Sequence, residues 1–150
     1  MKIVAQRVNW GRVLVDGEVV GEVGSGLVLL IGVASEDTES LIESMAQKIA
    51  NLRIFEDDQG KANLSLLDIK GGALVVSQFT LFADCSRGRR PYFGDAGAPE
   101  HAHRLCQYFV SALKRLGVHT QSGIFGKMMT VELSNNGPFT ICLDSSSPQR

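Results

Sequence analysis

The sequence predicts a single α+β domain, a mainly antiparallel, curled or barrel-like β-sheet carrying two amphipathic helices. Three observations point there. Strand-like segments outnumber helical ones, the apolar spacing turns helical only twice, and no repeat or linker divides the 150 residues. Such a sheet leaves an edge that a second copy of the chain would cover.

Val13 and Val15, then Asp16-Gly17, then Val19 and Val23 read as a β-hairpin, because a D-G pair between apolar runs favours the tight primed turns. After the break at Gly24-Ser25-Gly26, Leu27 to Val33 is apolar without alternation, the mark of a strand covered on both faces. Leu41, Ile42, Met45, Ile49 and Leu52 fall at helical spacing, with Asp37 or Thr38 placed to cap the first turn. Ile54-Phe55 predicts a short strand before the turn Asp57-Asp58-Gln59-Gly60. Ala73 to Phe82 reads as a central strand, polar only at Ser77, Gln78 and Thr80. Asp84 to Ala98 is a glycine-punctuated loop with Arg87, Arg89 and Arg90 clustered in it.

Pro99 opens a second helix where a missing N–H costs nothing, and Gly117 stops it. Its apolar stripe is Ala102, Leu105, Cys106, Phe109, Val110 and Leu113. Met129, Val131 and Leu133 alternate with Met128, Thr130 and Glu132, as in a half-buried strand. Asn135-Asn136-Gly137-Pro138 predicts a turn and Phe139 to Leu143 a last strand. The domain is expected to span residues 1–144, with 145–150 a frayed polar tail.

Apolar residues make up 44%, enough for a packed core. Lys plus Arg (15) against Asp plus Glu (16) leaves a net charge of −1, so any grip on nucleic acid must be local. No window approaches the ~18 consecutive apolar residues of a membrane helix. Met1 to Arg7 has no apolar signal-peptide core, and a cytoplasmic protein is expected. Cys85, Cys106 and Cys142 are odd in number and widely spaced, which argues against a disulfide framework or a zinc site. His101 and His103, two apart on a helix, point in different directions. No metal or cofactor is expected.

Several chemistries are missing. Gly60-Lys61 is followed by Ala62, so there is no phosphate loop, and Gly24-Ser25-Gly26 does not extend to a dinucleotide fingerprint. No G-x-S-x-G occurs, and no His stands beside a nucleophile in a readable motif. A site in this chain must rely on hydroxyls, amides and backbone groups, or borrow reactivity from its substrate.

Two segments stand out. Ser77-Gln78-Phe79-Thr80 puts hydrogen-bonding side chains into an apolar strand, with Gln78 and Thr80 on one face by strand alternation. A buried amide or hydroxyl without a partner costs roughly 1–3 kcal/mol. The plain alternative is a strand end where these groups reach solvent. The second segment, Asn135-Asn136-Gly137-Pro138-Phe139-Thr140, is either an ordinary turn or a rigid backbone feature built on an X-Pro bond.

Together these segments resemble the hallmarks S-Q-x-T and N-x-G-P-x-T of the D-aminoacyl-tRNA deacylases. The resemblance runs nearly end to end, through Gln6-Arg7-Val8, Asn51-Leu52-Arg53-Ile54-Phe55, Asn63-Leu64-Ser65, Gly88-Arg89-Arg90-Pro91 and Phe125-Gly126, and leaves out only the tail after Asp144. Asn136 stands where Asp is common in that family, Phe139 where Val is common, and Lys127 where many members carry Ala.

The resemblance implies a homodimer that hydrolyses the ester joining a D-amino acid to the 3′-terminal ribose of tRNA. It implies that Gly137-Pro138 is a cis dipeptide inserted into the other subunit's pocket, where two rigid carbonyls reject an L side chain. Glycine, which has no side chain to reject, would be accepted. Gln78 and Thr80 are then the catalytic candidates, and Ser77, Phe79, Met129, Gly137, Pro138, Thr140 and Arg7 the substrate-binding ones. Arg7 supports the Gly137-Pro138 turn in this reading; its plain alternative is a surface strand residue. Met129 lines the pocket or belongs to the core. Arg87, Arg89 and Arg90 either meet tRNA phosphates or form a solvated loop beside Asp84 and Asp95.

An aminoacyl ester is already activated and has a ribose 2′-hydroxyl beside it, so positioning and oxyanion donors matter more than a strong base. This places substrate-assisted hydrolysis ahead of a covalent Thr80 nucleophile, which needs an adjacent base. The competing readings are a non-enzymatic RNA-binding dimer, a structural interaction module and a Thr-dependent esterase for small molecules.

Overall fold

The computed structural model describes residues 1–147. Its long first strand β1, Lys2–Val15, turns at Asp16 and Gly17 into β2, Glu18–Val23, and β3 follows as Gly26–Gly32. Asp16 and Gly17 have φ of +51° and +83°, the backbone that the D-G pair was expected to supply. Helix α1, Glu39–Asn51, is capped by Thr38, whose hydroxyl accepts from the Leu41 N–H at 3.3 Å. Asp37, the other candidate cap, accepts instead from the Ala34 N–H and from the chain's terminal ammonium. Two short strands, β4 Phe55–Glu56 and β5 Ala62–Leu64, precede β6, Gly72–Ser77. Helix α2, Pro99–Arg115, leads to β7, His119–Ser122, and the chain returns along β8, Thr130–Asp144.

The main sheet runs β2-β1-β3-β6-β7, with β8 paired along β1. β1 is antiparallel to β2, β3 and β8, but β3 with β6 and β6 with β7 are parallel. The sheet is therefore mixed: antiparallel pairing predominates, as expected, but β6 lies between two parallel neighbours that the sequence did not announce. Each helix carries the chain back to the end of the sheet from which it came, so the strands it joins run the same way. At the far side β7 meets β2 through a side chain: the Glu22 N–H donates to Gln121 Oε1 at 2.9 Å. The sheet is nearly closed into a barrel.

This curl creates two apolar layers. Leu27, Leu29 and Ile31 of β3 face the helices, packing with Ile42, Ile49, Leu105, Phe109 and Leu113. Val28 of β3 and Leu74 and Val76 of β6 face inward with Val8, Val13 and Val23. That double coverage accounts for the unbroken apolar run in β3. Among the described residues no helix is long and apolar enough to cross a membrane.

Two element predictions are corrected. The strand expected over Ala73–Phe82 ends at Ser77, and Phe79–Phe82 forms a short 3-10 turn. Residues 135–138 do not separate two strands; they bulge from the single strand β8. Gln6 pairs with Thr140 and Val8 with Asn135, so residues 136–139 loop out opposite Arg7. In the expected tail, the Ser145 N–H donates to the Met1 carbonyl at 2.9 Å, and residues 148–150 lie outside the described residues.

Candidate active site

A cleft of about 870 Å³ opens beyond the carboxyl ends of the parallel strands β3 and β6, a place where sheets of this kind bind ligands. Its polar side chains are Ser77, Gln78, Thr80 and Lys127; the remaining walls are mainly apolar and include Phe79, Phe93, Phe125 and Met129. Strand pairing ends at Ile31 and Ser77, and the Gln78 N–H donates to the Ile31 carbonyl at 2.7 Å. The chain then coils, with the Leu81 N–H on the Gln78 carbonyl and the Ala83 N–H on the Thr80 carbonyl.

Gln78 and Thr80 therefore meet across a turn rather than on one face of a strand. The amide Nε2 of Gln78 donates to Thr80 Oγ1. Phe79 is exposed and packs edge-on against Phe93, with centroids 5.2 Å apart. Among the residues lining the cleft there is no histidine and no carboxylate. Burial pushes the Cys106 thiol up to about 12, so it stays protonated. The N–H groups of Phe79 and Thr80 open the 3-10 turn, where the first amides of a helix lack partners within it. Hydroxyl and amide side chains thus line one apolar-walled space at the start of a turn whose first N–H groups have no partner within it, a set of donors of the kind that can hold a polarised carbonyl oxygen.

The second motif is built around Asn135 and Arg7. Asn135 Nδ2 donates to the carbonyls of Arg7 (3.0 Å) and Phe139 (3.1 Å) and to Gln6 Oε1 (3.1 Å), while its Oδ1 accepts from the Phe139 N–H at 3.0 Å. Arg7 is 6% exposed. Its Nε donates to the Asn136 carbonyl at 2.9 Å and its Nη1 to the Ile54 carbonyl at 2.7 Å, and its guanidinium lies 4.4 Å from the Phe139 ring centre. Arg7 is not a surface strand residue. The Thr140 hydroxyl donates to Gln6 Oε1 at 2.6 Å. The Gly137–Pro138 peptide is cis, and a Cβ on Gly137 would lie 2.4 Å from the Phe139 nitrogen.

Within one chain the two motifs do not form one site. Ser77, Gln78, Phe79, Thr80 and Met129 line the cleft; Arg7, Gly137, Pro138 and Thr140 do not. Arg87, Arg89 and Arg90 are exposed on the loop after the 3-10 turn, whose ends are tied by reciprocal N–H to carbonyl bonds between Asp84 and Tyr92. Asp84 holds this loop through the Ser86 hydroxyl and N–H, which keep its carboxyl below the usual range. Phe93 and Cys106 were missed as wall residues. Cys106 carries only the helical core signal, and Phe93 sits in a loop with no periodicity to read.

The chain matches the family model described as D-Tyr-tRNA(Tyr) deacylase over residues 4–144. It is 51% identical over 146 residues to a D-aminoacyl-tRNA deacylase of Thermus aquaticus, covering 97% of this chain and 96% of that one. It is 56% identical to a D-aminoacyl-tRNA deacylase of Roseiflexus castenholzii, covering 97% and 93%. Its fold is similar to a solved structure of a c-Myc DNA unwinding element binding protein, with a TM-score of 0.91, 38% identity and coverage of 98% and 100%.

Proposed function

The chain belongs to the D-aminoacyl-tRNA deacylase family, and from that membership we propose a division of labour within the hydrolysis of D-aminoacyl-tRNA. The cleft at Ser77–Thr80 takes the aminoacylated 3′-adenosine. Water attacks the ester carbonyl, the negative charge that develops on its oxygen rests on the Phe79 and Thr80 N–H groups and the Gln78 amide, and the 3′-oxygen leaves. The ribose 2′-hydroxyl relays the proton from water to that 3′-oxygen, so the products are the free amino acid and tRNA.

The observation that carries this reading is the Gln78–Thr80 pair. The threonine oxygen accepts a hydrogen bond from an amide, and neither His, Asp nor Glu lines the cleft to activate it as a nucleophile. Thr80 positions substrate.

Chirality is set by a second copy of the chain. Its Gly137 and Pro138 carbonyls close the cleft, face the substrate amino group and clash with an L side chain, while glycine escapes rejection. Two features support this: the segment bulges from β8 onto an exposed surface, and within its own chain it does not line the cleft.

Single-turnover deacylation of D-Tyr-tRNA, L-Tyr-tRNA and Gly-tRNA tests the whole scheme, with Thr80→Ala alongside. The D and glycyl esters should fall and the L ester survive. Thr80→Ala should keep a rate within about a hundred-fold of wild type, with no acyl-enzyme by mass spectrometry. Survival of all three esters points to an RNA-binding role instead, and equal loss of D and L esters sinks the rejection mechanism.

A further inference from the structure

A second cleft of about 240 Å³ lies against the first and shares Ser77, Cys106 and Phe125 with it. Its own polar groups, His103, Gln107 and Ser122, have no part in the reaction above. His103, on α2, and Phe125 stack nearly face to face, with centroids 4.7 Å apart and planes 18° apart. His103 is itself exposed, so a flat aromatic platform stands beside the opening.

We propose that this cleft takes the base of the nucleotide preceding the aminoacylated adenosine, a reading that rests on the tRNA substrate assigned above. The cleft is too small for a whole drug-sized ligand, but it suits one pyrimidine with its sugar and phosphate left in solvent. A strand whose last residue fills the first cleft must continue past its wall, and Phe125 is a wall of both. Stacking on an aromatic side chain is the usual means of holding an unpaired base. The Gln107 amide offers both a donor and an acceptor, and the Ser122 hydroxyl can do either, so the edge of a cytosine can be matched.

NMR titrations with adenosine and with the dinucleotide CpA test this directly and without turnover. CpA should bind wild-type protein about ten-fold more tightly than adenosine, the value of one stacked base. His103→Ala and Gln107→Ala should each reduce that advantage, whereas His103→Phe, which keeps the stack, should retain most of it. Equal affinities in wild type, an advantage untouched by His103→Ala, or no binding of either ligand overturns the subsite. Deacylation of D-Tyr-tRNA is measured in parallel. Its absence beside an intact CpA advantage sinks the reaction and spares the subsite, and the reverse sinks the subsite alone.

Discussion

Arg7 grips Asn136 by its backbone: the guanidinium Nε donates to the Asn136 carbonyl at 2.9 Å while Nη1 donates to the Ile54 carbonyl at 2.7 Å. One buried cation thus ties the β8 bulge to the segment that follows α1. Charged hydrogen bonds of this kind contribute roughly 1.5–3 kcal/mol each. Arg7→Ala should cost about 3 kcal/mol, read as a lowered midpoint in urea denaturation. Arg7→Lys should recover less than half of it, because a single ammonium lacks the planar fork that reaches both carbonyls. Full recovery by lysine would show that charge alone matters at this position.

Asn135→Asp is nearly isosteric, yet it should be among the most damaging single-atom changes in the chain. Nδ2 faces three oxygens, those of Gln6, Arg7 and Phe139. Replacing this donor by a carboxylate oxygen turns three attractions into repulsions in a half-buried place. The expected loss is about 2–4 kcal/mol at neutral pH. It should shrink on acidification, since a protonated carboxyl can donate again. Parallel denaturation curves at pH 7 and pH 4.5 check this, and a loss independent of pH would put the Asn135 role elsewhere.

Cys106 gives the protein an alkaline signature. Burial raises its thiol from an ordinary 9.0 to about 12. Above pH 9 the unfolded chain releases this proton and the folded chain keeps it, so stability is intact below about 9 and falls as pH rises towards 12. The slope from one such group is at most about 1.4 kcal/mol per pH unit. Cys106→Ala should lower stability at pH 8 and flatten this slope between pH 9 and 10.5. At pH 8, alkylation of the folded protein should mark the exposed Cys85 and Cys142 and leave Cys106 unlabelled.

What the sequence made legible was what neighbouring residues decide. The Asp16-Gly17 turn, the Thr38 cap and α2 between Pro99 and Gly117 rest on contacts within a few positions. The parallel pairing of β6 with β3 and β7 was hidden because β7 reads only His-Thr-Gln-Ser; its strand character comes from lying beside β6, not from its own side chains. The site shows the same division. Ser77, Gln78 and Thr80 were visible as polar residues in an apolar run, but the 3-10 turn that pairs Gln78 with Thr80 was not. Nothing near Arg7 announces its burial, since its partners Ile54 and Asn136 lie 47 and 129 positions away.

Arg87, Arg89 and Arg90 occupy an exposed loop just past the Phe79–Phe82 turn, and none of them takes part in an ion pair among the described residues. Three unpaired cations on a loop that leaves the cleft-lining Phe79–Phe82 turn can, with the tRNA end held in that cleft as proposed, each meet one phosphate. Such contacts add affinity that salt removes, at roughly 0.7 in the log–log slope for each single-strand phosphate. The triple alanine variant should therefore raise KM for D-Tyr-tRNA at low salt by about ten-fold or more, leave kcat near wild type, and lower the salt slope by about 2. Hydrolysis of 3′-(D-tyrosyl)adenosine, which carries no phosphate, should not change. An unaltered salt slope would make the cluster a solvated loop, and a fall in kcat on the adenosine ester would mean that the loop shapes the cleft itself.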